Sequence, residues 1–201
     1  MNSELLSAVQ AYKDGLTKLN SIVIKTESAI ISENDRDLLF SQNVNFFAKS
    51  FLISICAHLE MCVKEIVFSV ATELDKRLSI ASIPATIIEW RYGQKKKGDI
   101  PGQQIPPAGI GMTRKEVDDL VSGNVYKTKD ALALVGVEIT ADKLTWDTWK
   151  EQIQSMVTRR NNIVHHNDSA SDLSLGDIRQ YISLTIDYIE FITDACGTKA
   201  A

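Results

Sequence analysis

Apolar residues recur at three- and four-residue steps along most of the chain, which is typical of helices that bury one face. In the first such segment, 3–23, the pattern is carried by Leu5, Leu6, Val9, Tyr12, Leu16 and Leu19. The next segment, 36–78, contains neither Gly nor Pro and predicts one long helix or two helices joined at a kink. Its apolar residues form two neighbouring stripes. We therefore expect this helix to be covered on two sides, and a second subunit is one candidate for the second cover.

The C-terminal part of the chain predicts two more helices. One begins after Thr145, the expected N-cap, and runs through His165 and His166. The other covers about 174–195 and carries apolar residues over a broad face. Strand-like alternation is absent over any useful length. The fold class predicted from the sequence is therefore all-α, a bundle of about four main helices.

An irregular insert separates the second and third of these helices. Residues 79–112 hold all four prolines and half of the ten glycines, and cannot be regular helix. A basic cluster in this loop, Arg91 with 95–97, is either a solvated surface or a phosphate contact. Two short helices follow, the first starting at a capping box of Thr113 and Glu116. We expect 1–201 to form a single domain with an insert at about 79–144.

Composition and net charge limit the classes of function that are possible for this chain. The chain has 201 residues, 44% of them hydrophobic, and Lys+Arg 22 against Asp+Glu 26 gives a net charge of −4. These values are typical of a globular domain and exclude a general basic field, so any contact with nucleic acid must be local. Three cysteines without a CxxC pair favour a reducing compartment over a disulfide framework. The N-terminus has no leader pattern, and a cytoplasmic protein is predicted.

The candidate chemistry lies near the end of the third main helix. At about 100° per residue, Arg160 falls near the middle of that helix's apolar stripe, where a leucine is expected. A buried guanidinium needs a partner, either a carboxylate such as Glu60 on the long helix or a phosphate brought by a ligand. Asn161 and His165 are four residues apart and share a face beside the stripe.

Other interpretations of these residues stay open. An Arg on an apolar stripe is also typical of a structural ion pair, and His165 with His166 would stabilise a helix end through the helix dipole. A zinc site is not predicted, because adjacent histidines point apart on a helix. Magnesium ligands are not predicted either, since Asp168 is the nearby acid and has no second carboxylate beside it. We expect no metal and no cofactor.

The string RRNNIVHHND, residues 159–168, resembles the hallmark of the HEPN superfamily, an Arg, a polar residue, a short spacer and a His. Arg160, Asn161 and His165 match it. The segment ISICAHLEMCVKEI is similar to the helix that carries an acidic residue facing the motif in many HEPN proteins, and that residue would be Glu60. The resemblance covers roughly 40–78 and 145–194 and leaves the insert unmatched.

The resemblance implies a homodimer of helical bundles with one composite cleft for RNA, and metal-independent endoribonuclease activity. Arg160, Asn161 and His165 would be catalytic, with Glu60, Arg159 and His166 in support. Arg159 would contact the phosphate backbone. Two histidines and two arginines provide the base, the acid and the positive charge that attack by an RNA 2′-hydroxyl requires.

The resemblance further implies a toxin or antiviral effector controlled by an antitoxin or regulatory protein. Two alternatives stay open: a non-catalytic HEPN module that binds RNA, a nucleotide or a partner protein, and a helical interaction protein in which the motif is accidental. The intact motif favours the enzyme, whereas the acidic total charge favours the non-catalytic module.

Overall fold

The computed structural model describes residues 3–32, 38–81, 111–166 and 171–197. These residues form seven helices and no strand, which confirms the all-α prediction. The four main helices are the long ones, α1, α3, α6 and α7. In chain order the elements are α1 (Ser3–Ile31), α2 (Leu39–Gln42), α3 (Val44–Ala81), α4 (Arg114–Leu120), α5 (Val125–Leu134), α6 (Lys143–His166) and α7 (Leu175–Gly197).

Helix α3 is the centre of the fold. It packs against α1 and α7, which also contact each other, and against α4, α5 and α6. Its buried side chains occupy both predicted stripes: Phe51, Leu52, Ile55, Cys56, Leu59, Cys62, Val63, Ile66 and Val67. Both stripes are therefore covered by helices of the same chain. The apolar excess on α3 needs no second subunit to bury it.

Helix α1 ends later than the sequence pattern predicts, and the next segment takes the second of its two predicted forms. Helix α1 continues to Ile31, eight residues beyond the predicted end, because Val23 and Thr26 still face the core. The segment predicted as one long helix or two is divided at Asn43, where its backbone N–H bonds to the carbonyl of Phe40 instead of continuing the α-helical pattern. The break separates the four-residue α2 from α3.

The described part of the predicted insert is helical and packed. The Thr113 side chain accepts from the Glu116 N–H at 3.3 Å, and Glu116 Oε2 accepts from the Thr113 N–H at 2.7 Å, so the predicted capping box is confirmed. The second short helix, α5, is followed by Gly136 at φ +80°, a left-handed conformation that favours glycine. The proline-rich part with Arg91 and 95–97 lies outside the described residues.

Helix α6 begins earlier than predicted. The carboxylate of Asp142 accepts from the N–H groups of Leu144 at 3.1 Å and Thr145 at 3.4 Å. Asp142, not Thr145, is therefore the N-cap, and the Thr145 hydroxyl donates to Asp142 at 2.6 Å. Both residue types suit the position, and the three-residue difference lies within the first turn.

An aromatic cluster joins α6 to α7. The ring of Trp149 lies 5.7 Å from that of Tyr188 and 5.9 Å from that of Phe191 between centroids. Tyr188 is buried, and burial raises the pKa of its phenol. Its hydroxyl has no hydrogen-bond partner among the described residues. An unpaired hydroxyl in a packed core opposes folding.

We therefore expect Tyr188→Phe to leave the fold intact and raise the free energy of unfolding by about 0.5 to 2 kcal/mol. Urea unfolding monitored by circular dichroism measures this change, with Tyr181→Phe, on the same helix, as control. A loss of stability in Tyr188→Phe would mean that the hydroxyl has a hydrogen-bond partner in solution.

Candidate active site

Arg160 interrupts the buried face of α6. The surrounding residues of this face, Trp146, Ile153, Met156, Val157 and Ile163, are buried, and the Arg160 side chain is half-buried. Its Nη1 donates to Asn161 Oδ1 at 3.0 Å. Its Nε is buried and has no acceptor within the described ranges. The guanidinium thus keeps donors that no group of the described residues uses.

Glu60 does not pair with Arg160, so of the two partners considered for the guanidinium the carboxylate of Glu60 is excluded. Glu60 instead accepts from Lys64 Nζ at 2.8 Å, one helical turn away, and Lys64 also reaches Asp118 of α4 at 3.2 Å. A residue at i+4 on the same helix meets the carboxylate without any tertiary adjustment. Lys64 is only 16% exposed, which makes this network a partly buried one.

Cys56 lies between the two predicted partners. Burial raises the pKa of its thiol to about 12; the Arg160 charge acts in the opposite direction, and Glu60 adds to the rise. The thiol is therefore protonated at neutral pH and serves packing. Cys56 lies near Arg160, while Glu60 and Val157 both lie beside Gly123. This part of α3 therefore lies near the motif-bearing end of α6, although Glu60 and Arg160 form no ion pair.

Asn161 is half-buried, whereas His165 and His166 are exposed in the last turn of α6. Because α6 is continuous, Asn161 and His165 share a face as predicted. Arg160 and His165 do not, since five residues separate them by about 140° around the axis and about 7.5 Å along it. One protomer therefore presents the Arg to the bundle and the His to solvent.

Arg159, expected to contact a phosphate backbone, is engaged within the chain. Its guanidinium forms an ion pair with Asp172, which precedes α7. The hydrogen bond from Arg159 lowers the pKa of the Asp172 carboxyl. Arg159 thus ties the motif helix to the start of α7, and the structure does not bring it to the other motif residues. Asp168 lies outside the described residues.

A groove of about 680 Å³ runs along the outer face of α6. Sequence reasoning missed it. Polar residues recur along it at three- and four-residue steps, which in the sequence is typical of an ordinary solvent-exposed helix face. Only the flanking helices make this face part of a groove. The lining comes from α5, α6 and the start of α7: Tyr126, Lys150, Glu151, Gln154, Ser155, Thr158, Arg159, Asn162, Asp172, Leu173, Asp177 and Tyr181.

Neither a metal-binding cluster nor a membrane-spanning helix is found among the described residues. They contain no group of three or more His, Cys, Asp or Glu side chains placed to hold a metal ion. None of their helices has the length and hydropathy needed to cross a membrane.

Comparison with known proteins identifies the fold family. A model of the RiboL-PSP-HEPN family matches residues 16–198, which include α3, the motif helix and the segment that the resemblance left unmatched. No curated protein and no solved structure matches the chain significantly. The match covers most of the chain and confirms the resemblance drawn from Arg160, Asn161 and His165. The chain belongs to the RiboL-PSP-HEPN family of the HEPN superfamily.

Proposed function

We propose that this HEPN protein is a metal-independent endoribonuclease whose active site is a composite cleft between two copies of α6. The observation that carries the proposal is the state of Arg160. Its Nε has no acceptor among the described residues, and the carboxylate of Glu60 is taken by Lys64. A half-buried cation with unused donors suits an RNA phosphate that becomes more negative in the transition state.

Each motif residue has a separate role in the proposed cleavage reaction. His165 of one protomer accepts the proton of the 2′-hydroxyl as its oxygen attacks phosphorus, and the second His165 donates a proton to the leaving 5′-oxygen. Arg160 stabilises the charge on the phosphorane. Asn161 accepts from Arg160 and so fixes the guanidinium, while its amide N–H groups are available to a phosphate oxygen. The products are a 2′,3′-cyclic phosphate and a 5′-hydroxyl.

The geometry of α6 explains why the proposed site needs two copies of the chain. Within one α6, Arg160 and His165 project about 140° apart, so a single copy does not direct both at one phosphate. A second α6 antiparallel to the first would bring the histidine of one protomer towards the arginine of the other. Val164, next to His165, is 46% exposed and offers apolar surface to a second copy.

Cleavage should persist in EDTA, stop when the scissile nucleotide carries 2′-deoxy or 2′-O-methyl, and leave DNA intact. Catalysis by a base and an acid should give a bell-shaped pH profile. Gel assays on labelled oligoribonucleotides test all four expectations. Strict dependence on a divalent ion, or cleavage of DNA, contradicts the assignment.

The composite cleft also predicts a dimer. Light scattering should give about twice the 22.3 kDa chain mass at micromolar concentration, with an interface of the order of 2,000 Å² in total. A monomer that still cleaves RNA at nanomolar concentration would exclude the composite cleft while leaving the nuclease.

One observation favours a second candidate function, a non-catalytic module that binds RNA, a nucleotide or a partner protein. The net charge is −4, and the cations that line the groove are paired with carboxylates. Binding without cleavage in the assay above would select this function. For the enzyme, the family assignment leads us to propose a cytoplasmic toxin or phage-defence effector, held in check by an antitoxin or regulatory protein.

A further inference from the structure

The groove on α6 is continuous with the proposed catalytic face. Gln154, Thr158, Asn161 and His165 follow one another at steps of four, three and four residues, so they form one ridge along the helix. At 1.5 Å per residue, Thr158 lies about 10 Å and Gln154 about 16 Å from His165 along the axis. A nucleotide chain held at His165 would pass over this ridge into the groove.

Both cations that line the groove are paired with carboxylates, and Glu151 and Asp177 add negative charge to the lining. Lys150 bonds to Asp147 at 2.8 Å, and Arg159 pairs with Asp172. Asp177 is used by the capping box of α7, where it accepts from the Ser174 N–H at 2.9 Å. A groove with its cations already paired attracts a phosphate poorly. It suits a ligand that is polar and uncharged.

Other residues that line the groove can hydrogen-bond to the edge of a planar ring or stack on its face. Gln154 Nε2 donates to Thr158 Oγ1 at 3.3 Å, whereas Gln154 Oε1 is buried and meets no donor among the residues described. Because Gln154 lines the groove, a rotation of its side chain would expose this acceptor to an N–H group of a ligand. Tyr126 on α5 is 48% exposed, and Tyr181 on α7 is half-buried. Tyrosine rings on the flanking helices offer stacking surfaces to an unpaired base.

We infer that the groove is a nucleobase subsite, which takes the base of a nucleotide flanking the scissile phosphate and gives the protein a base preference. Gln154 reads the hydrogen-bonding edge of the base, and Tyr126 stacks on its face. The inference rests on the proposed ribonuclease function for its substrate, but base binding is measurable without cleavage.

Protein-observed NMR titration tests binding directly, with adenosine, guanosine, cytidine and uridine as separate probes and inorganic phosphate as a fifth. We expect one nucleoside to shift the side-chain amide signals of Gln154 and Asn162 and to bind several-fold more tightly than the others. Gln154→Ala should weaken that binding about tenfold, the value of one lost hydrogen bond. Gln152→Ala is the matched control, since Gln152 is exposed on α6 and does not line the groove.

Three results would overturn the inference. These are the absence of any nucleoside effect on the groove, a shift of the same amides by phosphate but not by nucleosides, and equal binding by Gln154→Ala and Gln152→Ala. Tyr126→Ala provides a second variant if Gln154→Ala fails to fold. Removing the stacking ring should also weaken nucleoside binding several-fold.

A cleavage experiment separates this inference from the proposed function. The substrates are oligonucleotides with a single 2′-hydroxyl at the cleavage position and each of the four bases on either side. Wild type should prefer one flanking base by about tenfold, and Gln154→Ala should reduce that preference while still cleaving. Cleavage with no preference contradicts the subsite alone. If wild type cleaves nothing, the nuclease is wrong, and the nucleoside titration decides the subsite by itself.

Discussion

His165→Ala is expected to lower the rate of RNA cleavage by about 10²- to 10⁴-fold, the usual contribution of a general acid or base. In a composite site the change removes both the base and the acid, so the loss should lie towards the upper end. The fold should be unaffected, because His165 is exposed in the last turn of α6 and a helix-end imidazole contributes about 1 kcal/mol or less in such a position. Single-turnover cleavage and thermal unfolding measure the two effects.

His166→Ala is the matched control for this prediction. His166 is equally exposed in the same turn, but projects about 100° away from His165, and its removal should leave cleavage within a few-fold of wild type. Loss of activity in His166→Ala alone would transfer the role to His166. Retention of activity in both variants would end the acid and base mechanism.

Arg160→Ala should lower the cleavage rate by about 10²- to 10³-fold, as expected when a preorganised group that stabilises the transition state is removed. Arg160→Lys keeps the charge but lacks the planar fork. A lysine ammonium cannot bond to Asn161 and hold a phosphate with the same geometry, so most of the activity should be lost there as well. Activity near wild type in Arg160→Ala would show that the guanidinium does not meet the phosphate.

The free energy of unfolding of Arg160→Ala distinguishes the observed Glu60–Lys64 pair from the Glu60–Arg160 pair that the sequence left open. If Arg160 were the partner of Glu60, its removal would strand a buried carboxylate and cost about 3 to 5 kcal/mol. Since Glu60 is paired with Lys64, we expect a change within about 1 kcal/mol. Lys64→Ala is the informative comparison, because it removes the partner of both Glu60 and Asp118. Chemical unfolding should show Lys64→Ala to be the less stable variant.

Features that depend on local interactions could be predicted from the amino-acid sequence. Helical periodicity is a property of neighbouring residues, so it gave the four main helices, the all-α class and the position of Arg160 on the buried face of α6. The capping box at Thr113 is likewise contained within four residues. The motif from Arg160 to His165, together with the helix that carries Glu60, indicated the HEPN superfamily, which the family match confirms.

The local sequence pattern was less informative about helix ends, where two nearby residues can cap or end the helix with similar free energies. Asp142 and Thr145 are both good N-caps, and only the formed helix shows that Asp142 is used. The end of α1 is a second case. The sequence pattern predicted it near Val23, whereas the burial of Val23 and Thr26 shows why the helix continues to Ile31.

Tertiary structure alone decided which groups meet across long separations in the chain. Periodicity shows that a face is buried but not what covers it, so it left the second side of α3 open to a partner subunit, whereas α4, α5 and α6 lie there. It also gave no means of pairing Lys64 with Asp118 or Arg159 with Asp172. The groove exists because α5 and α7 wall the polar face of α6. Its physical origin is packing between elements that are distant in the chain, which no local pattern encodes.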